Sequence, residues 1–247
     1  MDFLGRGGGA AYPETVSLYA PVSSPAEARL RPASLDRRLL LAGGLAGLLP
    51  LGACTGALKI DAGPGSPARL AAAAQKQLGV TTKYDAAYAA LPYPGGDVPR
   101  KTGACSDVVI RAARDGLGLD LQKLVHEDMT VAFSAYPARQ LWNQVRPDPN
   151  IDHRRVPNLE TFFRRRGGEV WKADRKTGGA SFPEPLAVGD MLTWRNAEGA
   201  SHIALVTRAG GSPLILHNIG QGAIQHGLWP MGFWRNAVGH YRWPAAV

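Results

Sequence analysis

What most constrains the fold is a change of hydrophobic period along the chain. Helix-type spacing dominates up to about residue 168, and short β-type runs then follow: MLTW from Met191, HIALVT from His202, PLILHN from Pro213 and VGHYRW from Val238. Turn-rich stretches separate these runs, as expected of an antiparallel sheet. Helices first and strands later is an α+β order; alternating βαβ units would interleave them. The fold expected is a set of N-terminal helices packed on a small antiparallel sheet.

The helices carry readable boundaries. Ser66 is a candidate N-cap, Pro67 suits the first helical position, and Gly79 closes LAAAAQKQLG. CSDVVIRAARDG places Val108, Val109, Ala112 and Ala113 on one stripe, predicting a helix from Cys105 that ends at Gly116. Asp120 caps a short helix through Leu124, Ala135 to Pro157 reads as irregular, and Asn158 caps NLETFFRRR before Gly167 and Gly168.

Ahead of this domain lies a segment of different character. Arg37 and Arg38 precede an apolar run to Cys54 that is too short for a membrane span, and Gly43, Gly44, Gly47 and Pro50 argue against a buried helix. The arginine pair resembles a twin-arginine export signal, and Leu51-Gly52-Ala53-Cys54 resembles a lipobox, so Cys54 is a lipidation candidate. Simple cleavage nearby is the alternative. The expected organisation is a leader over 1–54, a linker over 55–65 and one catalytic domain over 66–247, exported to the periplasm or cell envelope and lipid-anchored if Cys54 is acylated.

Charge narrows the partners. The chain carries a net +8, and removing residues 1–54, with five basic and four acidic residues, leaves +7. A basic exported domain suits an anionic partner, and bacterial cell wall, lipid headgroups and acidic polysaccharides all fit that compartment; charge does not choose among them. The one dense basic run, Arg164 to Arg166, reads as a solvated helix face, so no nucleic acid is expected.

Export makes Cys105 unusual. The chain has two cysteines, and once the leader is gone Cys105 has no partner for a disulfide in an oxidising compartment. It is either a small buried hydrophobe or a nucleophile. A thiol at a helix start meets unpaired N–H groups and the positive end of the dipole, which favour the thiolate. An amide there also suits a developing oxyanion.

A thiol nucleophile needs a base. His202 opens one β-run and His217 ends the next, so a hairpin turning at Gly210-Gly211-Ser212 brings both to its open end. A Cys–His–orienter arrangement follows, with one imidazole taking the thiol proton and a second polar group holding it. His126 and His153 sit in irregular polar segments, open to solvent or to substrate, whereas His226 and His240 read as surface or packing residues. His126, Glu127, Asp128 and His153 match no specific ligand spacing, so neither metal nor cofactor is expected.

YPGGDVP, GACSDVVIRA, LQKLVHEDM, NIDHRRVPNLETFF, VGDMLTW, HIALV and LHNIGQG together resemble the bacterial DUF1287 family, over roughly Leu70 to Trp243. That family is related to the NlpC-type, papain-like cysteine peptidases. The resemblance implies Cys105 as nucleophile, His202 as base and acid, and His217 as orienter. It also implies Tyr93 as an oxyanion or substrate contact, with Ser106 completing the cysteine-serine pair. Ala104 stands where the wider pattern has aspartate, and Asp107 follows two residues after the cysteine. Asn218 is the alternative orienter, because a one-residue slip swaps the strand face. The IDHRR insertion is expected to line a cleft in which His153 and Arg154 or Arg155 meet substrate carboxylates. The expected activity is cleavage of a peptidoglycan amide through a thioester. An acyltransferase and a non-catalytic envelope-binding module are the alternatives.

Overall fold

The computed structural model describes residues 66–173, 182–228, 230–231 and 236–243. The leader, Cys54 and the linker lie outside the described residues. Those described form a mixed α+β fold, with helices before a small antiparallel sheet, as the change of period predicts.

Helix α1 runs Pro67–Gln75, and the Ser66 hydroxyl accepts from the Ala68 N–H at 3.2 Å. Strands β1, Lys83–Tyr84, and β2, Thr102–Gly103, form a short parallel pair. Helix α2, Cys105–Ala112, is buried along its whole length. Contrary to the predicted stop at Gly116, the chain continues through a π-turn, Ala113–Leu117. Gly116 lies against α1, where a Cβ would come 2.7 Å from the Arg69 carbonyl oxygen. Gly118 closes the turn instead, with φ of 71°, in the left-handed region that favours glycine.

Helix α3 is longer than expected, Leu121–Ala132, capped by the Asp120 carboxylate on the Gln122 N–H at 3.2 Å. The stretch expected to be irregular holds a short helix α4, Ala138–Trp142, and a 3₁₀ turn, Asp152–Arg154. Helix α5, Val156–Arg165, starts before the predicted cap. Pro157 occupies its first turn, and Asn158 is buried with its amide on the Asp152 carbonyl at 3.1 Å.

Strands β3 (Glu169–Lys172), β4 (Met191–Arg195), β5 (Ser201–Arg208), β6 (Leu214–Asn218), β7 (Ala223–Gly227) and β8 (Asn236–Tyr241) pair in the order β3-β8-β4-β5-β6-β7. All neighbours are antiparallel. The predicted hairpin is β5–β6, registered Leu205 to Leu216 and Val206 to Ile215. Strands β3 and β7 carried no strong sequence signal.

Period-two alternation gives the sheet two apolar faces. Ile203, Leu205 and Leu216 pack with α1, α2 and α5 side chains such as Leu70, Val109 and Phe162. Ala204, Val206 and Ile215 join Leu192 and Trp194 in the cluster on the other face. Cys105 belongs to the helix-side cluster, near the ends of β5 and β6.

Arg111 and Asp190 are buried charges with partners. Arg111, with no exposed surface, spends its guanidinium on Asp97 at 3.0 Å and on the Val98 and Thr102 carbonyls. Asp190, in the turn entering β4, accepts from the Ala187 N–H, from His240 at 2.7 Å and from Arg242 at 2.8 Å. Burial alone would raise the Asp190 carboxyl, but its hydrogen bonds from His240, Arg242 and Ala187 outweigh this and hold it below the usual carboxylate range. The folded value therefore lies under the unfolded one. Asp190 contributes stability that is full above the ordinary carboxylate pKa and is lost as pH falls through the folded value. Asp190→Asn should lower the unfolding free energy by about 3 kcal/mol at pH 7. Urea titrations across pH should show the gap to wild type closing on acidification.

Candidate active site

Cys105 is the first residue of α2 and is 4% exposed. Ala104 before it has no side chain able to cap, and the Asp107 carboxylate instead reaches back to the Ala104 N–H at 2.6 Å. The four leading N–H groups of a helix have no intrahelical acceptor, so those of the first turn point past the cysteine. The end of α2 thus has the amides and the dipole that suit an anion.

The residues expected to surround the nucleophile prove to hold its helix in place. Arg154 pairs with Asp107 at 3.0 and 2.9 Å, and its remaining donors reach the Ala87 carbonyl at 2.7 Å and the Asp85 carbonyl at 3.1 Å. The Ser106 hydroxyl donates to the Arg154 carbonyl at 2.7 Å. Burial works against the Arg154 charge, yet the bond to Asp107 and its charge raise the guanidinium further above its ordinary value. Arg154 is not presented to a substrate carboxylate.

His153 beside it is 2% exposed, and burial, followed by the Arg154 charge, pushes its pKa down to about 3. The ring is neutral at physiological pH. Arg155 lies over the Trp142 ring at 4.1 Å and donates to Gln144 at 2.6 Å. None of the residues Ile151 to Arg155, expected to line a cleft, borders the cavity found just ahead of them. That cavity of about 520 Å³ is lined by Tyr88, Gln144, Arg146, Asp148 and Asn150 among others.

The two histidines of the hairpin come together. His202 Nε2 lies 2.6 Å from His217 Nδ1. His202 is 2% exposed and His217 is fully buried. Asn218, one residue on, points to the opposite face. Its amide donates to the Gly103 carbonyl at 2.7 Å and to the Lys83 carbonyl at 3.2 Å. Its carbonyl accepts from Gly220 and Gly222, both at 3.2 Å. Of the two candidate orienters, His217 meets His202, whereas Asn218 ties the end of β6 to the backbone two residues before Cys105.

One residue of the imidazole row carried no sequence signal of its own. His226, read as surface or packing, has Nε2 at 2.7 Å from His217 Nε2 and Nδ1 at 2.7 Å from the Gly227 carbonyl. The signal that would have found it is the register of Ile215 opposite His226, which puts the ring diagonal to His217 on one face. Tyr84 pairs with Gly103 in β1–β2 and is 39% exposed. Tyr93, the tyrosine expected as an oxyanion or substrate contact, is 43% exposed and meets His126 of α3 edge-on at 5.0 Å.

The ring nitrogens are spaced for hydrogen bonding. Two nitrogens on one tetrahedral zinc lie about 3.3 Å apart, longer than the 2.6 and 2.7 Å found between these rings. Among the described residues no group of three His, Cys, Asp or Glu side chains is arranged to hold a metal ion. No described helix is long and apolar enough to cross a membrane.

A buried cysteine leads a helix whose end is clamped by an ion pair, and a chain of imidazoles joins three neighbouring strands of the same α+β domain. Family comparison assigns residues 71–243 to DUF1287, a domain of unknown function, and the chain belongs to that family. The uncharacterized protein YijF of Escherichia coli (strain K12) is 48% identical over 177 residues, covering 70% of this chain and 80% of its own length.

The Arg154 fork is the part of the site most exposed to test by substitution. Lysine is a point charge without the planar donor array. Arg154→Lys should cost about 2 kcal/mol and speed amide exchange at residues 85–91 by roughly tenfold or more. Unchanged exchange in that loop would mean that the fork does not hold it.

Proposed function

We propose that this chain is an exported cell-envelope cysteine hydrolase of papain-like, NlpC-type organisation that cleaves an amide bond of peptidoglycan. The observation that carries the reading is the pairing of His202 with His217 at the sheet end that Asn218 ties to Gly103, just before the helix-leading Cys105. Nucleophile, base and orienter are the three parts that thiol hydrolysis needs.

In this mechanism Cys105 gives its proton to His202 and attacks the amide carbonyl carbon. The tetrahedral oxyanion meets N–H groups at the start of α2. His202 then protonates the departing amine, leaving a thioester on Cys105. Water, deprotonated by His202, attacks the thioester, and the carboxylic acid leaves as the thiol is restored. Tyr84 and Tyr88 flank the segment that Arg154 anchors, and they, with the groove that Tyr88 shares with residues 143–150, are the surfaces proposed to hold the wall peptide. The net +7 outside the leader favours an anionic polymer. Export through the segment ending at Cys54, with lipidation there, belongs to the same proposal.

Purified peptidoglycan digested with the domain should release fragments identifiable by mass spectrometry. Cys105→Ala and His202→Ala should each reduce release by 10³-fold or more, on the order of losses seen when a nucleophile or its base is removed. Binding of wild type and Cys105→Ala to the wall, with no release by either, would replace the hydrolase by an envelope-binding module.

A further inference from the structure

The strands hold three imidazoles in series, and the series ends on a backbone carbonyl. His202 Nε2 meets His217 Nδ1 at 2.6 Å, His217 Nε2 meets His226 Nε2 at 2.7 Å, and His226 Nδ1 meets the Gly227 oxygen at 2.7 Å. A carbonyl oxygen only accepts, so His226 Nδ1 carries a hydrogen. With neutral rings, each later assignment follows from the one before. His226 Nε2 is then a lone pair, and His217 Nε2 must donate to it. That leaves His217 Nδ1 as a lone pair, and His202 Nε2 must donate in turn. The basic atom of His202 is therefore Nδ1.

We propose that His226 is a positioning residue which, acting through His217 and anchored by the Gly227 carbonyl, fixes His202 as the Nε2–H tautomer and so makes Nδ1 its basic atom. The inference rests on the reading of His202 as the base, but the protonation pattern is a property of the resting protein. It can be measured without substrate.

Without an acceptor beyond His217, that ring has no preferred direction. Reversing it would put a hydrogen on His217 Nδ1, force His202 Nε2 to accept, and leave His202 Nδ1 protonated. A base in the wrong tautomer is a poor base: a serine protease whose orienting aspartate is replaced by asparagine loses about 10⁴ in turnover. A mixture of tautomers loses less. The strands explain why His226 can serve. Residue 215 pairs with 226 across β6–β7, so His226 and His217 are diagonal neighbours on one face. His226 is half-buried, whereas His217 is fully buried, so the outer ring is the one open to substitution.

The test is ¹⁵N NMR of histidine-labelled protein, with each ring assigned by single substitution. Wild type should show His202 protonated at Nε2 and bare at Nδ1. His226→Leu should give a mixed His202 signal and slow iodoacetamide alkylation of Cys105 by roughly tenfold or more. His226→Glu supplies an acceptor without a donor, so it should restore the Nε2–H signal and bring alkylation back to within a few-fold of wild type. A wild-type His202 protonated at Nδ1, or a His226→Leu signal identical to wild type, overturns the inference. The wild-type spectrum decides the direction of the chain even if the leucine variant fails to fold. Absence of wall cleavage with the expected spectra would sink the hydrolase reading alone.

Discussion

The site depends on the ion pair between Asp107 and Arg154. Helix α2 begins at a residue whose neighbour, Ala104, offers no capping oxygen, so Asp107 supplies one from the third helical position. That solution places a carboxylate in the same turn as Cys105, where its charge would oppose a thiolate. The guanidinium 2.9 Å away neutralises it. Both side chains are almost wholly buried, so removing either would strand the other charge out of water. Arg154 also grips the carbonyls of Asp85 and Ala87, and the Ser106 hydroxyl returns to the Arg154 carbonyl. Three segments distant in sequence thereby fix one another around the thiol.

The two-residue period of a strand divides the remaining tasks. His217 and Asn218 are consecutive, so they face opposite sides of β6. One joins the row of rings, and the other, reaching toward α2, bonds Gly103 and Lys83. The same residue pair thus locates the imidazoles and anchors the backbone before Cys105. A one-residue slip of β6 would exchange the two side chains and undo both at once.

Much of this was legible. Ser66 and Asp120 act as the caps their positions suggest, Cys105 leads its helix, and the β5–β6 hairpin brings its two histidines together. Local patterns record local hydrogen bonds, and these features are local or one turn apart. The Asp107–Arg154 pair spans 47 residues, and nothing near either residue announces the other. Arg154 accordingly looked like a substrate arginine, because sequence displays charge but not burial. His226 was missed for a related reason. Strand β7 follows the glycine-containing loop at 220–222, whose composition does not set a register, and only the register opposite Ile215 turns His226 toward His217. Gly116 misled in a third way, since its role is close approach to α1 and the helix-ending turn falls at Gly118.

The partner of His202 Nε2 is another imidazole, where many hydrolytic triads place a carboxylate. A carboxylate would stabilise the imidazolium by a charge-assisted bond, roughly twice as strong as a neutral one. It would also fix the tautomer by its charge. With a ring in that place, the proposed mechanism leaves more of the stabilisation of a thiolate–imidazolium pair to the helix end and to the neutrality that Arg154 gives Asp107. The tautomer must then be set by hydrogen-bond direction alone. Such a chain needs a terminus that cannot change its role, and a histidine ending in solvent would not qualify, because it could donate or accept. The Gly227 carbonyl does qualify, since a peptide oxygen neither titrates nor donates. The two halves of the proposed mechanism therefore rest on backbone groups: amides at the start of α2 for the anion, and a strand carbonyl for the base.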